Sequence, residues 1–145
     1  MASRWYQNGL SAMAVGGIDY DTDVIMAFLV ATGTPPAAYA YNSAHSGLSI
    51  ISGYMRASHG SANLATKTVQ ASGSAMIIDA ADTTLAGVSA NASGSVFHAY
   101  VTMRSGASEA QHVLLTYNDL TSPATANAGD ITLQHNSTGI GLIWA

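Results

Sequence analysis

Val24 to Ala31, with the sequence VIMAFLVA, is the longest apolar run in this chain of 145 residues. The run is short, partly β-branched and apolar at both odd and even positions, which is typical of a strand buried on both faces. We therefore predict a central strand that a sheet core covers on one side. The N-terminal segment or a neighbouring subunit is expected to cover the other side.

The segment before this strand, from Trp5 to Val15, is the best helix candidate. Tyr6, Leu10 and Met13 can share one face at helical spacing, and the Gly-Gly pair that follows supplies the geometry of a helix C-cap. A helix this short is marginal in water, so its apolar face must be docked. We favour docking on a neighbouring subunit, because the segment is terminal and precedes two glycines.

The chain beyond the central strand is rich in short β-type segments. From Ala37 to Asn63 there is no clear period, which predicts a long loop with one short strand at Leu48–Ile51. Further strands are predicted between turn signals at Leu64–Gln70, Ala75–Ala80, Asp82–Val88, Val96–Met103, His112–Tyr117, Asp130–His135 and Ile140–Trp144.

These elements predict a single domain over residues 1–145. Its fold class is mainly β, a β-sandwich or jelly-roll-like barrel with one short N-terminal helix. Alternation in the strand that begins at Val96 places His98 and Thr102 on its polar face. The opposite, apolar face of that strand is predicted to carry Phe97, Ala99, Val101 and Met103.

The surface of this domain must be poor in charge. Charged residues make up 8% of the chain, against about 25% in typical soluble domains. Interface cores are depleted of Lys, Glu and Asp, so such a surface suits a subunit held in a dense protein array. Low charge also arises from habitat or lineage, and composition alone leaves both explanations open.

Several functional classes are disfavoured by composition. The formal net charge is −4 with only four Lys and Arg residues, whereas nucleic-acid binding needs several cations. There is no cysteine, which removes disulfides and thiolate metal sites. Val24–Ala31 falls far short of the roughly 20 residues of a spanning helix, and Met1 to Leu10 has no signal-peptide pattern. We expect no membrane partner and synthesis in a bacterial cytoplasm.

Four stretches carry a resemblance to a family of small virion proteins of tailed phages. They are GIDYDTDVIMAFLV from Gly17, IIDAADTT from Ile77, VFHAYVTM from Val96, and NAGDITL from Asn127. The resemblance spans nearly the whole chain. It departs at Met26, where the family often has Lys, and at Thr84-Leu85, where a Trp is common.

The resemblance implies a non-enzymatic capsid decoration, or cement, protein on the exterior of the virion capsid. Its partners would be the major capsid protein and further copies of itself, as a trimer. The alternative is a minor tail or fibre-associated module that binds host surface glycan. Neither function requires a cofactor, and the sequence contains no cofactor-binding pattern.

Asp19, Asp21 and Asp23 form the only carboxylate cluster, and they are the weak candidates for a metal site. An Asp-x-Asp-x-Asp pattern can begin a calcium loop, but an EF-hand needs glycine where Val24 stands and glutamate where Val30 stands. The alternative is that these carboxylates accept backbone N–H bonds in a turn before the strand.

No catalytic residues are predicted. None of the histidines has the i, i+4 spacing of a helical zinc motif or adjoins a carboxylate in sequence, so we expect imidazoles at the surface or at interfaces. Glu109 is the sole glutamate, which removes a glutamate pair; an Asp79–Asp82 pair remains formally possible for glycoside hydrolysis. The histidines are His45, His59, His98, His112 and His135.

Aromatic residues supply the candidate interface. Trp5 and Tyr6 lie near the N-terminus, and Tyr39 and Tyr41 lie in the unpatterned loop. Aromatic side chains are enriched at protein interfaces, and a sugar-binding module would also use such rings. We predict that these four residues are interface residues. For Tyr100 the sequence is equally consistent with a position in the core and a position at the surface.

Overall fold

A computed structural model describes residues 3–31, 45–48, 51, 61–90, 96–135 and 139–144. Within these ranges one α-helix, α1, and ten strands are present, and no helix is long and apolar enough to cross a membrane. The elements are β1 Ser3–Trp5, α1 Gln7–Ala14, β2 Ile25–Ala31, β3 Ser61–Asn63, β4 Thr68–Ser72, β5 Ala75–Asp79, β6 Thr83–Val88, β7 Val96–Arg104, β8 Val113–Thr125, β9 Gly129–Leu133 and β10 Gly141–Trp144.

The strands form three antiparallel sheets. The largest has the order β1-β8-β7-β2-β3, the second β10-β5-β4, and β6 pairs with β9. One cluster of buried side chains, the inner core, contains residues from all three sheets, so the smaller sheets pack face to face with the large one in a sandwich-like arrangement. The inner core includes Ile25, Leu29, Tyr100, Ile78, Leu85 and Leu133. The predicted mainly β fold with one short N-terminal helix is confirmed.

Strand β2 is buried on both faces, as its unbroken apolar sequence predicts. Ile25, Ala27 and Leu29 belong to the inner core. Phe28 and Val30 face the other way, into a second core. The remaining members of the second core come from the N-terminal segment, the region around residue 50, and strands β7 and β8: Tyr6, Leu48, Ile51, Ala99, Val101, Met103, Leu114 and Tyr117.

The N-terminal segment docks on its own chain, so the expectation that a neighbouring subunit covers it is wrong. Trp5 ends strand β1 rather than beginning a helix, because residues 3–5 pair with the edge of β8. The Tyr6 N–H then donates to Leu115 O at 2.9 Å, and α1 follows. A Cβ on Gly9 would lie 2.0 Å from Leu114 O, so this close helix–strand approach requires glycine.

A β-bulge in β7 overturns one predicted face. Val30 and Ala31 of β2 pair with Ala99 and Phe97, so His98 is an extra residue in the ladder. Because the side-chain period of a strand is two, one extra residue reverses the direction of everything before it. Phe97 therefore packs in the inner core, while Ala99, Val101 and Met103 pack in the second core.

Two further segments differ from the sequence prediction. Of the predicted strand Leu64–Gln70, only the last three residues lie in a strand, β4, because the chain turns at Thr66, whose φ is +49°. Of the predicted strand Leu48–Ile51, the structure describes Leu48 and Ile51; neither lies in a strand, and Ile51 N–H donates to Leu48 O at 3.0 Å. The β4–β5 hairpin is where the pattern predicts it, with Gly73 at a φ of +61° in a two-residue turn.

Candidate functional site

Two surface features stand out: an uncharged sheet edge and a polar groove. The edge is strand β4, which pairs with β5 alone among the described strands. Natural proteins usually protect such an edge with charge, proline or a bulge. From Thr68 to Ser72 the sequence TVQAS has none of these residues, and β4 is exposed after its first residue.

An apolar cleft of about 280 Å³ opens beside this edge. Val69 pairs with the fully buried Ile78, so its side chain lies on the inner face of the sheet. Val69 is nevertheless 42% exposed, because no further strand covers that face beyond β4 within the described chain. The cleft is lined by Leu10, Met13, Ala14, Tyr20, Val69 and Met76. An extended segment added to β4 would place inward-facing side chains over this cleft.

The polar groove begins at an irregularity in β8. Asp119 pairs with Ala99 and Ala124 pairs with Phe97, so the four residues 120–123 of β8 stand opposite the single residue His98. A bulge of this size carries its side chains away from the regular ladder. Together with the end of β9 it forms a groove of about 400 Å³, lined by residues 120–122 and 132–135.

His135 is held rigidly at this groove. Thr83 Oγ1 donates its one proton to Ala81 O at 3.2 Å, so it accepts the N–H of His135 Nε2, also at 3.2 Å. Nδ1 then accepts the Tyr100 hydroxyl proton at 3.0 Å. The His135 backbone N–H donates to Asp82 Oδ1 at 2.9 Å. The neutral imidazole thereby joins β6, β7 and the end of β9.

The electrostatics of this network favour its neutral form. Burial lowers the pKa of His135, an effect that the negative charges of Asp82 and Asp79 oppose. Burial raises the pKa of the Tyr100 hydroxyl, and the same two carboxylates raise it further. Tyr100 therefore remains a donor and His135 an acceptor at neutral pH.

The three aspartates of the predicted metal candidate form a turn before β2. Asp19 N–H donates to Asp23 Oδ2 at 3.1 Å. The side chains of Asp19 and Asp21 hydrogen bond each other, which lowers the pKa of Asp19 and raises that of Asp21. The Asp23 carboxylate thus accepts a backbone bond within the turn, as the alternative interpretation predicts. Across the described ranges no group of three His, Cys, Asp or Glu residues is placed to hold a metal ion.

The predicted interface residues occupy different environments. Tyr6 is 1% exposed and belongs to the second core, so it is a core residue of its own chain. Trp5 is half-buried against the inner core. Tyr39 and Tyr41 lie outside the described residues. Tyr100 is completely buried, so of the two environments predicted for it, core and surface, the core is the one it occupies.

The polar groove was missed at the level of sequence. Thr83, Tyr100 and His135 come from three segments that no spacing relates, and the sequence predicts His135 only as a surface or interface imidazole. Asp79 and Asp82 both act on His135 as negative charges, and neither is among the described residues that line the groove. No family model, no curated protein and no solved structure matches the chain. The resemblance to phage virion proteins stays a prediction.

Proposed function

We propose that the chain is a non-enzymatic capsid decoration protein of a tailed phage, which binds the assembled shell and stabilises it by bridging major capsid subunits. The observation that carries this proposal is the uncharged β4 edge beside its apolar cleft. Together with the resemblance in sequence, it supports a protein that works through contacts with other chains. The partner segment at this edge is an extended stretch of a major capsid subunit on the capsid exterior.

Strand addition suits this task for two physical reasons. Backbone hydrogen bonds along β4 fix the register and direction of the added segment, and an apolar side chain in the cleft contributes affinity. A ligand that binds only the assembled shell stabilises it by about 2.7 kcal/mol per site when its free concentration is one hundred times Kd. Because many copies bind to each shell, the stabilising free energies of the individual sites add up over the particle.

The direct test is particle stability. Deletion of the gene from the virus that carries it should leave particles that assemble but rupture at lower temperature than wild-type particles. Densitometry of purified virions should show the protein in proportion to the major capsid protein. Equal heat resistance of the two particles, or only a few copies per virion, would contradict the decoration role.

A pair of matched variants tests the surface. Ala71→Lys places a charge on the exposed β4 edge, and Ala86→Lys places the same charge at an exposed position of β6. We expect Ala71→Lys to lose binding to purified shells that lack the protein, measured by co-sedimentation, while Ala86→Lys binds as wild type does. Equal binding of both variants would show that β4 is not the shell contact.

A further inference from the structure

We propose that the groove between the β8 bulge and the end of β9 is a binding site for a neutral saccharide unit. This inference goes beyond the proposed shell function and does not depend on it. The groove has two walls, residues 120–122 on one side and residues 132–135 on the other, and encloses about 400 Å³. That volume lies in the range of small-molecule sites.

The chemistry of the walls defines the ligand class. Hydroxyl and amide groups come from Thr121 and Ser122 on one wall and from Thr132 and Gln134 on the other. None of the described residues that line the groove carries a formal charge at neutral pH. Among these lining residues an ion finds no partner of opposite sign, and the negative charges of Asp79 and Asp82, which act on His135, oppose an anion.

Apolar surface accompanies these hydroxyl and amide groups. The half-buried Leu120 lines the same groove above the core residue Leu133, which provides contact for the C–H face of a sugar ring. A purely apolar ligand would shield the hydroxyls of Thr121 and Ser122 and the amide of Gln134 from water without offering them partners, at a cost in binding free energy, whereas Thr132 is already bonded to Thr84. A neutral, hydroxyl-rich ring satisfies both kinds of surface.

The site is also preorganised. Both ring nitrogens of His135 are engaged by Thr83 and Tyr100, and its backbone N–H is engaged by Asp82. The imidazole therefore offers packing surface in a fixed orientation rather than a hydrogen bond. A wall held in place before binding loses little conformational freedom when the ligand enters, which favours affinity.

The test is a titration of the ¹⁵N-labelled full chain, followed by ¹H–¹⁵N correlation spectra. The probes are methyl α-D-glucopyranoside, methyl α-D-mannopyranoside and N-acetyl-D-glucosamine, with glucuronate as the charged control. We expect at least one neutral probe to give saturable shifts at Thr121, Ser122 and Gln134, with Kd on the order of 1–10 mM. Glucuronate should bind at least about fivefold more weakly, because the carboxylates behind His135 oppose it.

Matched variants connect the shifts to the groove. Gln134→Ala removes an exposed amide from the wall, and Gln70→Ala removes an exposed amide from β4. Loss of one hydrogen bond should weaken binding by about two- to tenfold in Gln134→Ala and leave Gln70→Ala unchanged. The proposal is overturned if no probe gives saturable shifts at 100 mM, if the shifts lie elsewhere, if glucuronate binds equally well, or if both variants bind alike. A groove that takes a peptide instead would give the first of these results.

Discussion

Truncation of Tyr6 to alanine tests whether the N-terminal segment is part of the domain. Tyr6 is 1% exposed and packs in the second core with residues of β2, β7 and β8. A buried aromatic side chain removes about 150–250 Å² from water. At about 25 cal/mol per Å² this corresponds to roughly 4–6 kcal/mol as an upper limit. Large-to-small substitutions of aromatic residues cost about 3–5 kcal/mol, so we expect a loss near 4 kcal/mol.

The assay is thermal unfolding of the isolated protein by circular dichroism. For a chain of this length a loss near 4 kcal/mol lowers Tm by roughly 10–15 °C. Val15→Ala is the control in the same segment, because Val15 is 80% exposed and such substitutions stay within about 0.5 kcal/mol. Trp5→Ala should fall between the two, since Trp5 is only half-buried.

One result would refute this reasoning. If Tyr6→Ala melts within about 2 °C of the wild-type protein, the segment does not contribute to the fold of the isolated chain. If Tyr6→Ala also lost binding to shells, the result would support the hypothesis that the segment docks on a neighbouring subunit. Normal melting together with normal shell binding would remove both versions of the docking hypothesis.

Three further predictions concern pH, helix packing and assembly. Because folding lowers the pKa of His135, the free energy of unfolding should fall as pH drops below about 6.5. Urea unfolding at pH 7.5 and at pH 5 should show this loss, and the difference between the two pH values should be smaller in His135→Gln. Gly9→Ala should lower Tm despite alanine's helix preference of about 1 kcal/mol, since its Cβ would meet Leu114 O; exposed Ser11→Ala should not. Light scattering at micromolar concentration should show a trimer, and a strictly monomeric mass would contradict a preformed one.

Local sequence pattern was sufficient for the elements whose signal is local. The apolar run around Phe28 predicts a strand buried on both faces, and the structure places two cores against it. The turn at Gly73 predicts the β4–β5 hairpin, because its backbone needs a positive φ that glycine adopts without strain. The mainly β class and the short N-terminal helix follow from the same kinds of signal.

Elements that depend on distant partners could not be predicted in this way. Trp5 was expected in a helix, yet it is in a strand because the edge of β8 is available to pair with it. Phe97 was expected beside Ala99, but the bulge at His98 reverses its direction. Neither the pairing at the edge of β8 nor the bulge can be recognised from residues nearby in sequence, because both depend on how separate strands align.

The candidate sites show the same division. By itself, the sequence determined that the chain has few charges, no cysteine and a strand, Thr68–Ser72, free of charged residues. Only the tertiary structure decided that this strand is an outermost one among the described strands and that a cleft opens beside it. Likewise, only strand pairing brings Thr83 and Tyr100 to His135, because hydrogen bonds between residues far apart in sequence require the folded sheets to place them within about 3 Å.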